Sequence, residues 1–144
     1  MENIIAQQPL FRRILCAVDP RDDCLPAIEL GRRLAERNRA ALTLIHVLTP
    51  KIPGGAVLRE DKERARASLE RMVENALAGM EYDLIVQWGR PVTEILAAEE
   101  RLGAELCVIP NSGSMGGSHL FRSTAELVAR RSHCPVLTVG SKAA

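Results

Sequence analysis

A chain of 144 residues with 47% hydrophobic and 26% charged side chains has room for one domain with a sizeable core, and little room for a second. Nineteen basic against eighteen acidic side chains leave a formal charge of +1, so no global field gathers nucleic acid or an anionic membrane. The four cysteines show no CxxC or Cys/His ligand spacing, which argues against a metal site and for reduced, mostly buried thiols of the kind a cytoplasmic protein carries.

The start "MENIIAQQPLFRR" lacks the basic opening and long apolar centre of a signal peptide, and residues 1–10 read as a loose leader to an α/β domain over 11–144. No apolar stretch approaches the roughly 18 residues needed to span a bilayer. The apolar run 14–18 reads as a buried strand. Behind it, Cys24, Ile28, Gly31 and Leu34/Ala35 fall at helical spacing, with Asp22 and Asp23 suited to the positive end of that helix. The second strand is "ALTLIHVL", residues 41–48, with His46 as a core or interface residue. A long irregular connection over 48–60 follows, carrying Pro50, Pro53, Gly54 and Gly55. The longest helix comes next, with Ala65, Leu69, Met72/Val73 and Ala76 on one stripe, a solvated face of alternating charge, and Gly79 as its stop.

A third strand over 84–86 leads to Trp88, expected to pack at the strand end. The third helix begins near Pro91, a residue suited to the first helical position, and stops at Gly103. The fourth strand, 106–109, opens into the Gly/Ser-rich loop "PNSGSMGGSHLFRST". A fourth helix over 123–131 carries Ser123 and Glu126 as an S-x-x-E capping box, and a fifth strand over 136–139 follows an exposed His133. This alternation, with four of the five strands too uniformly apolar for one wet face, predicts an open parallel α/β sheet wound on both sides with right-handed crossovers.

In such sheets ligands sit beyond the carboxyl ends of the strands, which makes "VDPRDD", "HVLTP", "QWGRP" and the Gly/Ser loop the candidate segments. A phospho-acceptor receiver would need an Asp where the third strand ends "IVQWG". A flavodoxin would need a phosphate loop where the first ends "DPRDDC". Neither a Rossmann GxGxxG nor a GxxxxGKS is present. No nucleophile with a spaced base, metal set or carboxylate pair points to an enzyme, so binding is the expected role.

The segments "ILCAVDP", "ALTLIHVL", "GRPVTEIL" and "STAELVARRSHCPVLTV" together resemble the universal stress protein family, over residues 13–140. The resemblance implies a five-stranded parallel sheet of order 3-2-1-4-5 with helices on both faces. It also implies a homodimer formed through the edge strand Val136, Leu137, Thr138 and Val139. In the nucleotide-binding branch, an Asp after the first strand and the backbone of a Val in the second hold adenine and ribose, positions that match Asp19 and Val47. The phosphates are held by a GxxG after the fourth strand, then nine residues, then Gly-Ser or Gly-Thr. Here the first glycine position is Pro110, the second Gly113, and the last pair Arg122-Ser123, with eight residues between.

Proline offers no N–H to an anion, and Arg122 either fills the phosphate site or clamps across it. The expected anion-binding residues are therefore Gly113, Ser114, Arg122, Ser123 and Thr124. ATP or AMP, with Mg²⁺, or another small anion is the implied ligand of a stress or energy sensor. A nucleotide-free interaction dimer and a slow ATPase are the alternatives.

Overall fold

The computed structural model describes residues 8–21, 23–50, 54–56, 58–111 and 118–140, with the backbone alone over 118–123. Its elements run β1 (Arg13–Ala17), α1 (Leu25–Asn38), β2 (Ala41–Leu48), α2 (Arg59–Val73), β3 (Asp83–Trp88), α3 (Pro91–Leu102), β4 (Leu106–Pro110), α4 (Ser118–Arg131) and β5 (Val136–Val139). The five strands form one sheet of order β3-β2-β1-β4-β5, every pairing parallel. Both the alternation and the strand order match what the sequence and its family resemblance imply. Among the described residues, no helix is long and apolar enough to cross a membrane.

Strand side chains alternate between faces, so β1 divides its apolar residues between two cores. Ile14, Cys16 and Val18 join Leu42, Leu44 and Val108 beneath Ile28 and Ala35 of α1 and Leu69 and Val73 of α2. Leu15 and Ala17 join Ile45, Val47, Cys107 and Ile109 beneath Ile95 and Ala98 of α3 and Ala125 and Val128 of α4. Each fully buried Leu or Ile contributes about 1.5–3 kcal/mol, and this double use of β1 explains its unbroken apolar run. All four cysteines are free thiols, with Cys16, Cys24 and Cys107 buried.

Helix ends follow local chemistry where the chain offers a strong signal. Pro91 opens α3, and Gly103, at φ 63°, closes it in the left-handed region. The end of α2 departs from the sequence reading. The helix stops at Val73, and the chain winds on through turns that bond Glu74 to Arg71, Ala78 to Asn75 and Met80 to Leu77 before Gly79, at φ 77°, ends them.

The start of α4 is a second correction. The helix begins at Ser118, so Ser123 lies inside it and the Ser123/Glu126 pair caps no helix start. No glycine or proline separates Ser118 from Ser123, and nothing in that stretch delays helix initiation. A third concerns α1. Its N-cap is Cys24 and its first turn holds no acidic residue, with Asp23 one position outside; Asp22 lies outside the described residues.

Candidate functional site

The sheet's winding reverses between β1 and β4, and a crevice of about 390 Å³, part of it open to solvent, lies at the carboxyl ends of the strands there. Among its lining residues are Asp19 and Arg21 after β1, Ile45 and Val47 of β2 with Thr49 just beyond it, Pro91 and Ile95 of α3, and Thr124 of α4.

One wall exists because β1 is shorter than β2. In register, Ala17 faces Ile45, and the Val18 N–H donates to Ile45 O at 2.8 Å. Beyond that rung β1 leaves the sheet, while β2 continues to Leu48. Peptide groups alternate sides along a strand. Leu48 O accepts Gly89 N–H at 3.0 Å on the β3 side, so the peptide groups of Val47 turn to the side that β1 has vacated. Val47 thus presents a backbone donor and acceptor at the crevice, a property of strand length rather than of its side chain.

Asp19 stands opposite, 6% exposed. Its Oδ1 accepts from the Arg21 backbone N–H at 2.9 Å and from Arg21 Nε at 3.0 Å, and Oδ2 accepts from Arg21 Nη2 at 2.7 Å. The backbone of Asp19 is fixed too, with its N–H donated to Cys24 Sγ at 3.1 Å and its O accepting the Cys24 thiol at 2.9 Å. Burial pushes the carboxyl pKa up, but the hydrogen bonds and charge of Arg21 outweigh burial and hold it below the ordinary value of 3.8.

His46 shares the parity of Leu42 and Leu44, which places its imidazole on the α1/α2 face, buried as the sequence suggests. Its Nδ1 is 3.0 Å from Val18 O, and since a carbonyl only accepts, Nδ1 carries the proton. Burial pushes its pKa below the ordinary 6.5 against the pull of Asp19, leaving a neutral ring at pH 7.

Of the residues singled out from sequence, Asp19, Val47 and Thr124 meet at the crevice, with Thr124 buried. Gly113 and Ser114 lie outside the described residues, and Arg122 and Ser123 are described only as backbone within α4. Pro110 is the last residue of β4, where the following Asn111 N–H is taken by Val139 O at 2.8 Å. Trp88, expected to pack, is 48% exposed and does not line the crevice. Among the described residues, no three His, Cys, Asp or Glu side chains gather as a metal site.

Arg21 was missed. The segment "VDPRDD" reads as acidic, yet a turn at Pro20 folds residue 21 back onto residue 19, and an Asp-Pro-Arg order carries that signal.

Residues 10–140 match the model of the universal stress protein family. The universal stress protein YxiE of Bacillus subtilis is 27% identical over 147 residues, covering 90% of this chain and 99% of that protein. The universal stress protein MJ0531 of Methanocaldococcus jannaschii is 27% identical over 142 residues, covering 90% and 82%. Among solved structures, a universal stress protein in complex with cAMP superposes with a TM-score of 0.74 at 22% identity, covering 92% of this chain and 99% of that one. The universal stress protein from Archaeoglobus fulgidus in complex with dAMP superposes with a TM-score of 0.65 at 22% identity, covering 90% and 98%. With the sheet order and a family match over residues 10–140 in agreement, the chain belongs to the universal stress protein family.

Proposed function

We propose that this protein is a cytoplasmic homodimer that senses an adenine nucleotide, AMP or ATP, in the crevice between β1, β2 and α4. The observation that carries the reading is the meeting of a buried, ionised Asp19 with the outward-turned Val47 peptide at the sheet's switch point. A purine needs edge hydrogen bonds to a peptide, a ribose needs an acceptor for its hydroxyls, and both need an apolar slot such as Ile45, Pro91 and Ile95 supply. Two structural relatives hold cAMP and dAMP, which adds weight to this class of ligand.

In this reading Val47 recognises the base edge through its backbone, and Asp19 accepts from the ribose. Thr124 and the anion-binding residues Gly113, Ser114, Arg122 and Ser123 face the phosphates. Mg²⁺ would arrive on the phosphates of ATP.

The test is direct. Freshly purified protein is denatured and the released small molecules are chromatographed; alternatively, stripped protein is titrated with AMP or ATP-Mg²⁺ and melted. A stoichiometric adenine nucleotide, or a melting temperature raised by about 5–10 °C at a hundredfold excess over Kd, supports the reading. No released nucleotide together with unchanged melting sinks it.

Pro110 favours a second reading, because it withdraws an N–H where the nucleotide-binding branch has glycine. In that reading the protein is a nucleotide-free interaction dimer. Either way β5 is the proposed dimer edge. It is one of the sheet's two edge strands, and Leu137 on it is 37% exposed. Leu137→Lys is expected to convert the dimer to a monomer in sedimentation, and a wild type that sediments as a monomer refutes the edge assignment.

A further inference from the structure

After the Val18 rung the chain leaves the sheet, so the peptide groups of Asp19 have no strand to pair with. Pro20, next along, brings no N–H of its own. Asp19 is nonetheless buried, and a buried residue needs partners for its backbone donor and acceptor. One side chain supplies both. Cys24 Sγ accepts the Asp19 N–H at 3.1 Å, and the thiol donates to Asp19 O at 2.9 Å.

Cys24 stands at the N-cap of α1, yet its thiol makes no cap hydrogen bond to the helix. Its main chain belongs to α1, because Cys24 O accepts the Ile28 N–H at 2.9 Å. The thiol therefore ties the end of β1 to a helix whose first turn is anchored by Ala27 and Ile28, both buried. Arg21 bonds the Asp19 carboxylate from within the same turn, whereas Cys24 bonds the Asp19 backbone from outside it.

We propose that Cys24 is a positioning residue of the crevice: its thiol, bonded to both peptide groups of Asp19, sets where the Asp19 carboxylate meets a nucleotide. This rests on the nucleotide reading above and deepens it. A binding group must be held within about 0.5 Å of its productive place by side chains that are themselves locked by packing. Cys24 is 1% exposed and does not line the crevice, so it acts on a ligand only through Asp19.

The experiment measures AMP affinity by calorimetry in wild type, Cys24→Ser, Cys24→Ala and Cys24→Val. Serine keeps a donor and an acceptor, whereas valine fills the thiol's space with neither. Cys24→Ser is expected to bind AMP within about threefold of wild type, and Cys24→Ala and Cys24→Val about tenfold more weakly. In an Asp19→Ala background, Cys24→Ala is expected to weaken AMP by less than about twofold further, since the carboxylate it places is gone. Hydrogen exchange at the Asp19 amide of the free protein should be slow in wild type and Cys24→Ser and faster in the other two. If valine does not fit the site, Cys24→Ala carries the comparison with serine.

If wild type binds AMP and Cys24→Val restores affinity while Cys24→Ser does not, the thiol acts by filling space and the assignment is wrong. It is equally wrong if all four proteins bind AMP alike, or if Cys24→Ala keeps its full cost in the Asp19→Ala background. A single rate of Asp19 amide exchange in all four proteins also overturns it. In each of these cases the nucleotide reading stands. If wild type does not bind AMP, the nucleotide reading falls and takes this inference with it.

Discussion

Asp19 lies at the end of β1 with three donors from Arg21 shared over its two oxygens, whereas Glu99, on the inner face of α3, is fully buried with Ser132 Oγ on Oε1. Among the described residues, Glu99 Oε2 has no hydrogen-bond partner. The thiols of Cys107 and Cys134 lie close to Glu99, and burial followed by the carboxylate's charge pushes both their pKa values up. His133, half exposed, brings Nδ1 to 3.6 Å from Oε1. Two carboxylates have left water on opposite terms. One is satisfied by a side chain that remains at the surface, so it can trade partners with a ligand. The other is held by a hydroxyl inside the corner where α3, the end of α4 and the start of β5 meet, so it can only hold that corner together or strain it.

The largest effect is expected at that corner. Ser132 Oγ donates to Glu99 Oε1 at 2.6 Å and accepts the Cys134 N–H at 3.2 Å, so one hydroxyl ties α3 to the chain entering β5. Ser132→Ala removes that donor from a buried carboxylate that already has one unpartnered oxygen. A loss of about 3 kcal/mol is expected, or roughly 6–12 °C in melting temperature for a domain of this size. A loss below about 1 kcal/mol would show that the corner tolerates the carboxylate without help.

Glu99→Met should act in the opposite direction and more weakly. It removes the unpartnered oxygen at nearly constant volume, and the Ser132 hydroxyl can still donate to Cys134 O, 3.0 Å away. Stability is expected to stay level or rise by about 1 kcal/mol in denaturant titration. A loss of more than about 2 kcal/mol would make Glu99 a stabilising member of the corner and remove the contrast with Asp19.

The difference between these regions also marks what the sequence reveals. The apolar runs are strands because β1, β2 and β4 are covered on both faces, and Pro91 and Gly103 bracket α3 through backbone constraints that act locally. Helix α4 and the end of α2 were misplaced because a capping pattern and a glycine are only local preferences, and the neighbouring residues were helix-compatible or turn-forming in ways those signals do not report. Asp19 was legible from its position after β1. Arg21 was not, since its role comes from the turn geometry that folds it back. Glu99 was legible in principle: it falls on the stripe Ile95, Ala98, Glu99, Leu102, where a carboxylate among apolar neighbours signals burial.

At the crevice, the expected effects on stability are small. Arg21 is mostly in solvent, so Arg21→Gln should cost only about 0.5 kcal/mol at pH 7. Its acid signature is more telling. The folded Asp19 pKa lies below its ordinary 3.8, so the pair's contribution is present above that value and is lost as pH falls through the folded pKa. Arg21→Gln should flatten the fall in melting temperature over that acid window. An identical acid profile in both proteins would mean that the pair does not hold Asp19 ionised.

The smallest and most local effect is at His46, which feels both members of the pair. Burial lowers its pKa, Asp19 raises it and Arg21 lowers it. Because the folded pKa lies below 6.5, the unfolded chain takes up the proton first, and His46 withdraws stability as pH falls through 6.5 towards the folded value. Removing Arg21 leaves the Asp19 charge without its counter-ion, so in Arg21→Gln the His46 pKa, followed by NMR titration, should move up. Asp19→Asn should move it down. Opposite shifts from the two members of one ion pair would show that the charges at residues 19 and 21 reach His46 independently. Shifts in the same direction would mean that the substitutions act by opening the turn to water, and the contrast between an exchangeable Asp19 and a fixed Glu99 would lose its electrostatic basis.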